Sequence, residues 1–330
     1  MFEPVFIDRL LEIEALRSLS YRGTYLPVYI YGPEGCGKSR LLKEFIESFD
    51  GVAIYIDALE ARDPRKAVRL NSSLRIGYEA IKSIASTVSG DIGRFLAERI
   101  VEILEGLSAK ISFSGRNIVI AIDDVTRSIG VEKVEWYLKW LYEQSKRIYR
   151  ELTPKSVAII ATTSEGLSLR SIIKHTYTNI KLIWNLSYKS LRELAIQLDP
   201  PNDEIIDELW MATGGNPRSL LEIAFDYSWN IRSWKRDLEN RLITISSTIK
   251  SKGLKKEVIE IIEVPDTPID NPTSRFEEAV DILIDGNLII YKGFKTIHGH
   301  EVSANPDLGI GRYYAWQIPA KREILKSLLE

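Results

Sequence analysis

Eight residues, Gly32-Pro33-Glu34-Gly35-Cys36-Gly37-Lys38-Ser39, constrain the fold more than any other stretch of this chain. They match G-x-x-x-x-G-K-[ST], with an apolar run at 26–31 before them and helical apolar spacing after them at Leu41, Leu42, Phe45, Ile46 and Phe49. Strand, glycine-rich turn and helix in that order gather free backbone N–H groups and the positive end of a helix around one point, which is a cradle for phosphates. The spacing predicts that Lys38 reaches the β- and γ-phosphates of a nucleotide and that Ser39 ligates its Mg²⁺. Gly32, Pro33, Glu34, Gly35, Cys36 and Gly37, with Arg40 in the first helical turn, complete the expected phosphate-binding set.

The pattern around this motif alternates. Short apolar runs at 52–56, 118–122, 157–161 and 179–184 read as further strands, and 131–150 reads as a helix between two of them. Residues 65–107 have a polar, helical pattern interrupted by Gly77, Gly90 and Gly93. Strands alternating with helices imply an α/β fold with a parallel sheet covered on both faces.

Two of the strands deliver chemistry to the end of the sheet where phosphates bind. The run 118–122 ends in Asp123 and Asp124. Asp123 is the expected Mg²⁺-organising carboxylate, and Asp124 is the candidate for orienting or activating the attacking water. The run 157–161 ends in Thr162, Thr163 and Ser164, whose hydroxyls could hold that water; Thr163 is taken as the site residue.

The character of the chain changes after Leu186. Helical patterns at 188–198, 203–212 and 217–227 are broken by Pro200-Pro201 and by Gly214-Gly215. Asn216 suits an N-cap and Pro217 the first helical position, which places Arg218 in the first turn of a rigid element behind a hinge. A cation held there could contact a γ-phosphate and report its presence. Residues 230–256 are basic, and a helix at 254–263, a helix at 274–285 and two strands at 288–291 and 313–318 give the order of a winged helix. The domain boundaries expected are 1–185 for a nucleotide-binding core, 186–250 for a helical lid and 251–330 for a winged helix.

These segments together resemble the archaeal ATPase family of the signal-transduction (STAND) ATPases within the AAA+ superfamily. The resemblance runs from VFIDRLLEIEAL (5–16) through the glycine-rich motif, IVIAIDDV, IIATTS and WNLSYKSLREL to GGNPR. It implies a P-loop AAA+-type sheet with lid and winged helix, with ATP and Mg²⁺ bound between core and lid. It also implies sensor roles for the 162–164 segment and Arg218, and an adenine flanked by the segment from Pro4 to Arg9. The chain differs from many AAA+ proteins in carrying Asp124 where they have Glu.

Composition narrows the partners. The formal net charge is −2 over 330 residues, so any contact with nucleic acid must come from a local patch. The one cysteine, Cys36, cannot form an intramolecular disulfide, and the first thirty residues lack a signal-peptide pattern, so a cytoplasmic setting is expected. No apolar run approaches the roughly 20 residues of a membrane helix. Three functional classes follow: an ATPase acting with double-stranded DNA through its winged helix, a signalling or assembly ATPase whose winged helix docks protein or drives self-association, and a small-molecule P-loop kinase. The lid motif and extra tail domain argue against the third.

Overall fold

The computed structural model describes residues 4–60, 67–71, 98, 102–105, 112–163, 166–174 and 176–330. By packing the described residues form two units, one drawn from 9–31 and 38–182, the other from 4–8, 32–37 and 183–330.

The first unit is built on six strands: β1 (Val28–Tyr31), β2 (Val52–Asp57), β3 (Val68–Leu70), β4 (Asn117–Asp123), β5 (Ser156–Thr162) and β6 (Asn179–Leu182). Their order in the sheet is β3-β2-β4-β5-β1-β6, and every pairing is parallel except β2 with β3. The central strands are buried along their length, as near-continuous apolar runs in a parallel sheet require. Alternate residues serve opposite faces. Ile54, Ile56, Ile118, Ile120, Ile122 and Ile159 share a core with Tyr137, Leu138 and Leu141 of α4 (Val134–Leu152). On the other face α1 (Leu10–Arg22) and α2 (Lys38–Ser48) pack against each other and the sheet. Two short helices, α3 (Val125–Ile129) and α5 (Gly166–Ile173), also belong to this unit.

One expectation needs correcting here. Within the stretch read as helical, residues 68–70 form the antiparallel edge strand β3. Three residues are too few to show a period, and tertiary bonds fix the segment: Asn71 Nδ2 donates to the carbonyls of Phe49 at 2.7 Å and Gly51 at 2.8 Å. Residues 98 and 102–105 are helical, and residues 65–66, 72–97, 99–101 and 106–107 lie outside the described residues.

The second unit carries α6 (Tyr188–Gln197), α7 (Glu204–Thr213), α8 (Pro217–Phe225) and α9 (Ile231–Ser251), then α10 (Lys255–Glu263), a single turn α11 (Thr267–Asp270) and α12 (Ser274–Asp285). An antiparallel ribbon of β7 (Ile289–Tyr291) and β8 (Tyr314–Trp316) follows, and a last helix, α13 (Pro319–Leu329). Side chains cap the starts of α6, α8, α9 and α12: Ser187, Asn216, Asn230 and Thr273 each accept the N–H three residues on. The sequence reading gave no helix after the ribbon. Pro319 at its first position and buried Ile324, Leu325 and Leu329 explain why one forms. α13 packs along α9 and against α7, so residues 183–330 share one packed body. Among the described residues no helix is long and apolar enough to cross a membrane.

Candidate nucleotide site

In the glycine-rich segment, glycine is required by contact at positions 32 and 35 and by backbone angle at positions 35 and 37. A Cβ on Gly32 would lie 1.9 Å from the carbonyl oxygen of Ile183. Gly35 has φ +80°, and a Cβ there would lie 2.6 Å from Cβ of Arg218. A side chain at position 32 would displace the Ile183 backbone, and one at position 35 would meet Arg218 and Asn216 as well as the strained angle. Cys36 is buried, with its thiol directed to the Ile183 carbonyl at 3.7 Å.

Within the second unit this loop is tied to three distant parts of the chain. Asn216 caps α8 with its Oδ1 and donates Nδ2 to the Glu34 carbonyl at 2.8 Å. The Glu34 N–H donates to Gln317 Oε1 at 2.9 Å, and the Glu34 carboxylate accepts from Arg218 at 3.0 Å and from Asn287 at 2.7 Å. Gln317 Nε2 donates to Asn287 Oδ1 at 2.7 Å, and Asn185 Nδ2 to the Gln317 carbonyl at 3.0 Å. Asn216, Asn185 and Gln317 are buried, so each is held because its polar atoms find partners. Burial pushes the Lys321 ammonium below its ordinary pKa, while Glu34 and Glu222 pull it upward. Sequence reasoning missed Asn287, Gln317 and Lys321, since glutamine and asparagine in a tail carry no motif. Asn287 has a positive φ, 53°, where the chain leaves α12 for β7.

In the first unit Lys38 opens α2 and is buried, Ser39 follows it, and Arg40 pairs with Glu44 along the helix at 2.7 Å. Asp123 ends β4 and is buried. Both of its oxygens are engaged by hydroxyls, Oδ2 by Tyr55 at 2.6 Å and Oδ1 by Thr162. Thr162 also accepts the Asp124 N–H at 3.1 Å. From the end of β5, the Thr162 hydroxyl reaches Asp123; Thr163 is buried, with its N–H on the Ile30 carbonyl at 3.0 Å. Asp124 has a left-handed backbone, φ 51°, where the chain turns from β4 into α3.

Tyr55 was not legible as a site residue. It lies on β2, whose parallel register sets Asp57 beside Asp123. Burial, and then the Asp123 charge, push the Tyr55 phenol above its ordinary pKa. Burial likewise pushes the Asp57 carboxyl up, opposed by the Leu59 N–H that it accepts. Lys43 of α2 sits over the Tyr55 ring, 5.1 Å from its centre. Arg9 is buried and paired with Glu12 at 2.8 Å.

A strand thus leads into a glycine-rich loop and a helix bearing the lysine, and a second buried strand carries paired acids. Residues 6–223 match the sequence model of a family described as an ATPase domain predominantly from Archaea. The chain belongs to this family. It is an ATPase with a P-loop, on the mostly parallel α/β sheet that the sequence implied. Among curated proteins none matches the sequence. Among solved structures, the chain is similar to the Aeropyrum pernix ORC2 protein in ADPNP-ADP complexes, at 13% identity and TM-score 0.43, covering 100% of this chain and 95% of that one. AMPPCP-bound DnaA from Aquifex aeolicus is similar at 15% identity and TM-score 0.37, covering 82% and 74%. The replication initiator DnaA bound to AMPPCP and single-stranded DNA is similar at 15% identity and TM-score 0.39, covering 75% and 72%.

Proposed function

We propose that this archaeal-type ATPase domain works as a nucleotide-controlled switch of the STAND kind, in which the phosphate loop sets the state of the lid and tail. The observation that carries this reading is Glu34. One residue of the phosphate loop bonds Asn216 and Arg218 at the start of α8, Asn287 at the end of α12 and Gln317 ahead of α13. A ligand that moves this loop must disturb all four bonds, and a ligand shifts an equilibrium only through such differential contacts.

In this reading Lys38 and the loop N–H groups bind the β- and γ-phosphates, Asp124 orients water, and Arg218 responds to the γ-phosphate. Ser39 and Asp123 would hold Mg²⁺. The donor set fits: each Asp123 oxygen accepts one hydroxyl and keeps a second lone pair. Magnesium commonly takes one or two protein carboxylates and completes its shell with phosphate and water, so no larger acidic cage is needed. Bound there, the ion would neutralise charge developing on the phosphates.

The helix–helix–ribbon order of residues 255–316 is read as a winged helix. Its α12 presents Glu277, Glu278 and Asp285 outward against one exposed cation, Arg275, and an excess of acid repels phosphate in a groove. That favours docking on protein. A DNA-binding reading rests instead on α9, where Arg232, Arg236, Arg241 and Lys250 are exposed.

The test is Arg218→Ala in the full chain. Affinities for ADP and a non-hydrolysable ATP analogue are measured beside hydrogen exchange of residues 186–250. ADP should bind as in the wild type, while the preference for the triphosphate and its effect on exchange should be lost. A variant that still distinguishes the nucleotides and protects the lid would remove the switch reading. A gel shift at two salt concentrations, with and without ATP, decides between DNA and protein as partner, because phosphate contacts weaken steeply with salt.

A further inference from the structure

We infer that Glu34 sets the nucleotide preference of this ATPase by competing with the γ-phosphate for Arg218. The inference rests on the switch reading, in which Arg218 is the cation that senses the triphosphate.

Glu34 lies inside the phosphate-binding motif, yet it contributes a negative charge to a loop whose task is to hold polyanions. Its carboxylate accepts Arg218 Nη1 on one oxygen and Asn287 Nδ2 on the other. The backbone holds it there. Its N–H and carbonyl are fixed by Gln317 and Asn216, and the Arg218 N–H approaches the Gly35 carbonyl at 3.4 Å. Carboxylate and guanidinium are therefore positioned by the same short stretch of backbone, with little freedom to miss each other.

Exposure makes the pair exchangeable. The Arg218 side chain is 55% exposed and that of Glu34 31%. An ion pair this open is weak and screened by salt. A γ-phosphate carries more charge than a carboxylate and offers three acceptor oxygens, so it can displace Glu34 from Arg218. With ADP bound, the γ-phosphate is missing and Glu34 keeps its partner. Glu34 thereby lowers triphosphate affinity selectively, through the cation it occupies. It also acts on a second cation, since it is the first charged group pulling the Lys321 ammonium upward.

Removing the negative charge should raise triphosphate affinity relative to diphosphate affinity, because only the triphosphate competes for Arg218. The experiment is Glu34→Gln in the full chain, alone and combined with Arg218→Ala, with ADP and a non-hydrolysable ATP analogue as probes at low and high salt. Glu34→Gln should raise the analogue-to-ADP affinity ratio by about threefold, the scale of an exposed ion pair. The gain should shrink at high salt and vanish in the Arg218→Ala background, because the two residues act on one contact. An unchanged ratio in a variant that binds ADP normally overturns the role of Glu34, as does an equal gain with and without Arg218. If Glu34→Gln no longer binds ADP, Glu34→Asp serves instead: its shorter side chain should raise the ratio by a smaller factor, and no rise rejects the inference. Failure of the underlying switch reading looks different, since Arg218→Ala alone would then leave the ratio untouched.

Discussion

Tyr55 donates its buried phenol to Asp123 Oδ2 at 2.6 Å, from a neighbouring strand and 68 residues earlier in the chain. The bond orients the carboxylate that the switch reading assigns to Mg²⁺. Tyr55→Phe removes the donor and leaves that oxygen without this hydroxyl. A hydrogen bond to a charged acceptor contributes on the order of 1.5–3 kcal/mol, so the folded state should lose about that much. With orientation relaxed, the Mg²⁺ concentration needed for half-maximal ATP turnover should rise a few-fold. A variant with wild-type Mg²⁺ dependence would show that Tyr55 serves packing alone.

Lys38→Ala should abolish ATP binding or turnover. Lys38 is buried at the first position of α2, directly after the loop, and alanine leaves the phosphates without that charge. Calorimetric titration with ATP beside a phosphate-release assay checks this; retention of both would end the P-loop assignment.

Asp124→Asn should keep ATP binding and slow hydrolysis by at least about a hundredfold, the lower range for loss of a general base. Asparagine tolerates the left-handed backbone at this position, so the substitution tests chemistry without adding strain. Asp123→Asn should instead weaken the Mg²⁺-dependent part of binding. The reverse order of effects would exchange the two roles.

Removal of residues 251–330 should unsettle the helices that remain. α13 packs on α9, and Ile324, Leu325 and Leu329 are buried. Full burial of such side chains contributes roughly 1.5–3 kcal/mol each, so losing three costs on the order of 5 kcal/mol. The truncated chain should melt well below the full one and lose hydrogen-exchange protection in residues 231–250. Equal melting temperatures would mean that residues 1–250 stand alone.

Arg275 grips Glu257 with two nitrogens, at 2.5 Å and 3.1 Å, and joins α12 to α10. The Arg275 hydrogen bond holds the Glu257 carboxyl below its ordinary 4.5. A depressed carboxyl contributes stability that is complete above its unfolded pKa and lost as pH falls through the folded value. Arg275→Ala should therefore reduce stability at pH 7 and flatten its decline below pH 4.5. Arg275 is half exposed, so solvent screening keeps the loss small. Denaturant midpoints from pH 7 to pH 3 give the comparison, and parallel curves for the two proteins would dismiss the pair as a contributor.

What the sequence determined by itself is whatever local chemistry enforces. Glycine spacing set the phosphate loop, apolar runs set the buried strands, and Asn216-Pro217 set the start of α8 with Arg218 in its first turn. Each depends on neighbours within a few residues, where backbone preferences act. Tertiary structure decided which distant polar groups meet. Gln317 reaches Glu34 across 283 residues of chain, Asn287 reaches it across 253, and Tyr55 meets Asp123 only because β2 and β4 pair in register. A hydroxyl or an amide has no period and no motif. Its partner is chosen when strands and helices close around it, because a buried polar group left unbonded would cost more than the fold could bear.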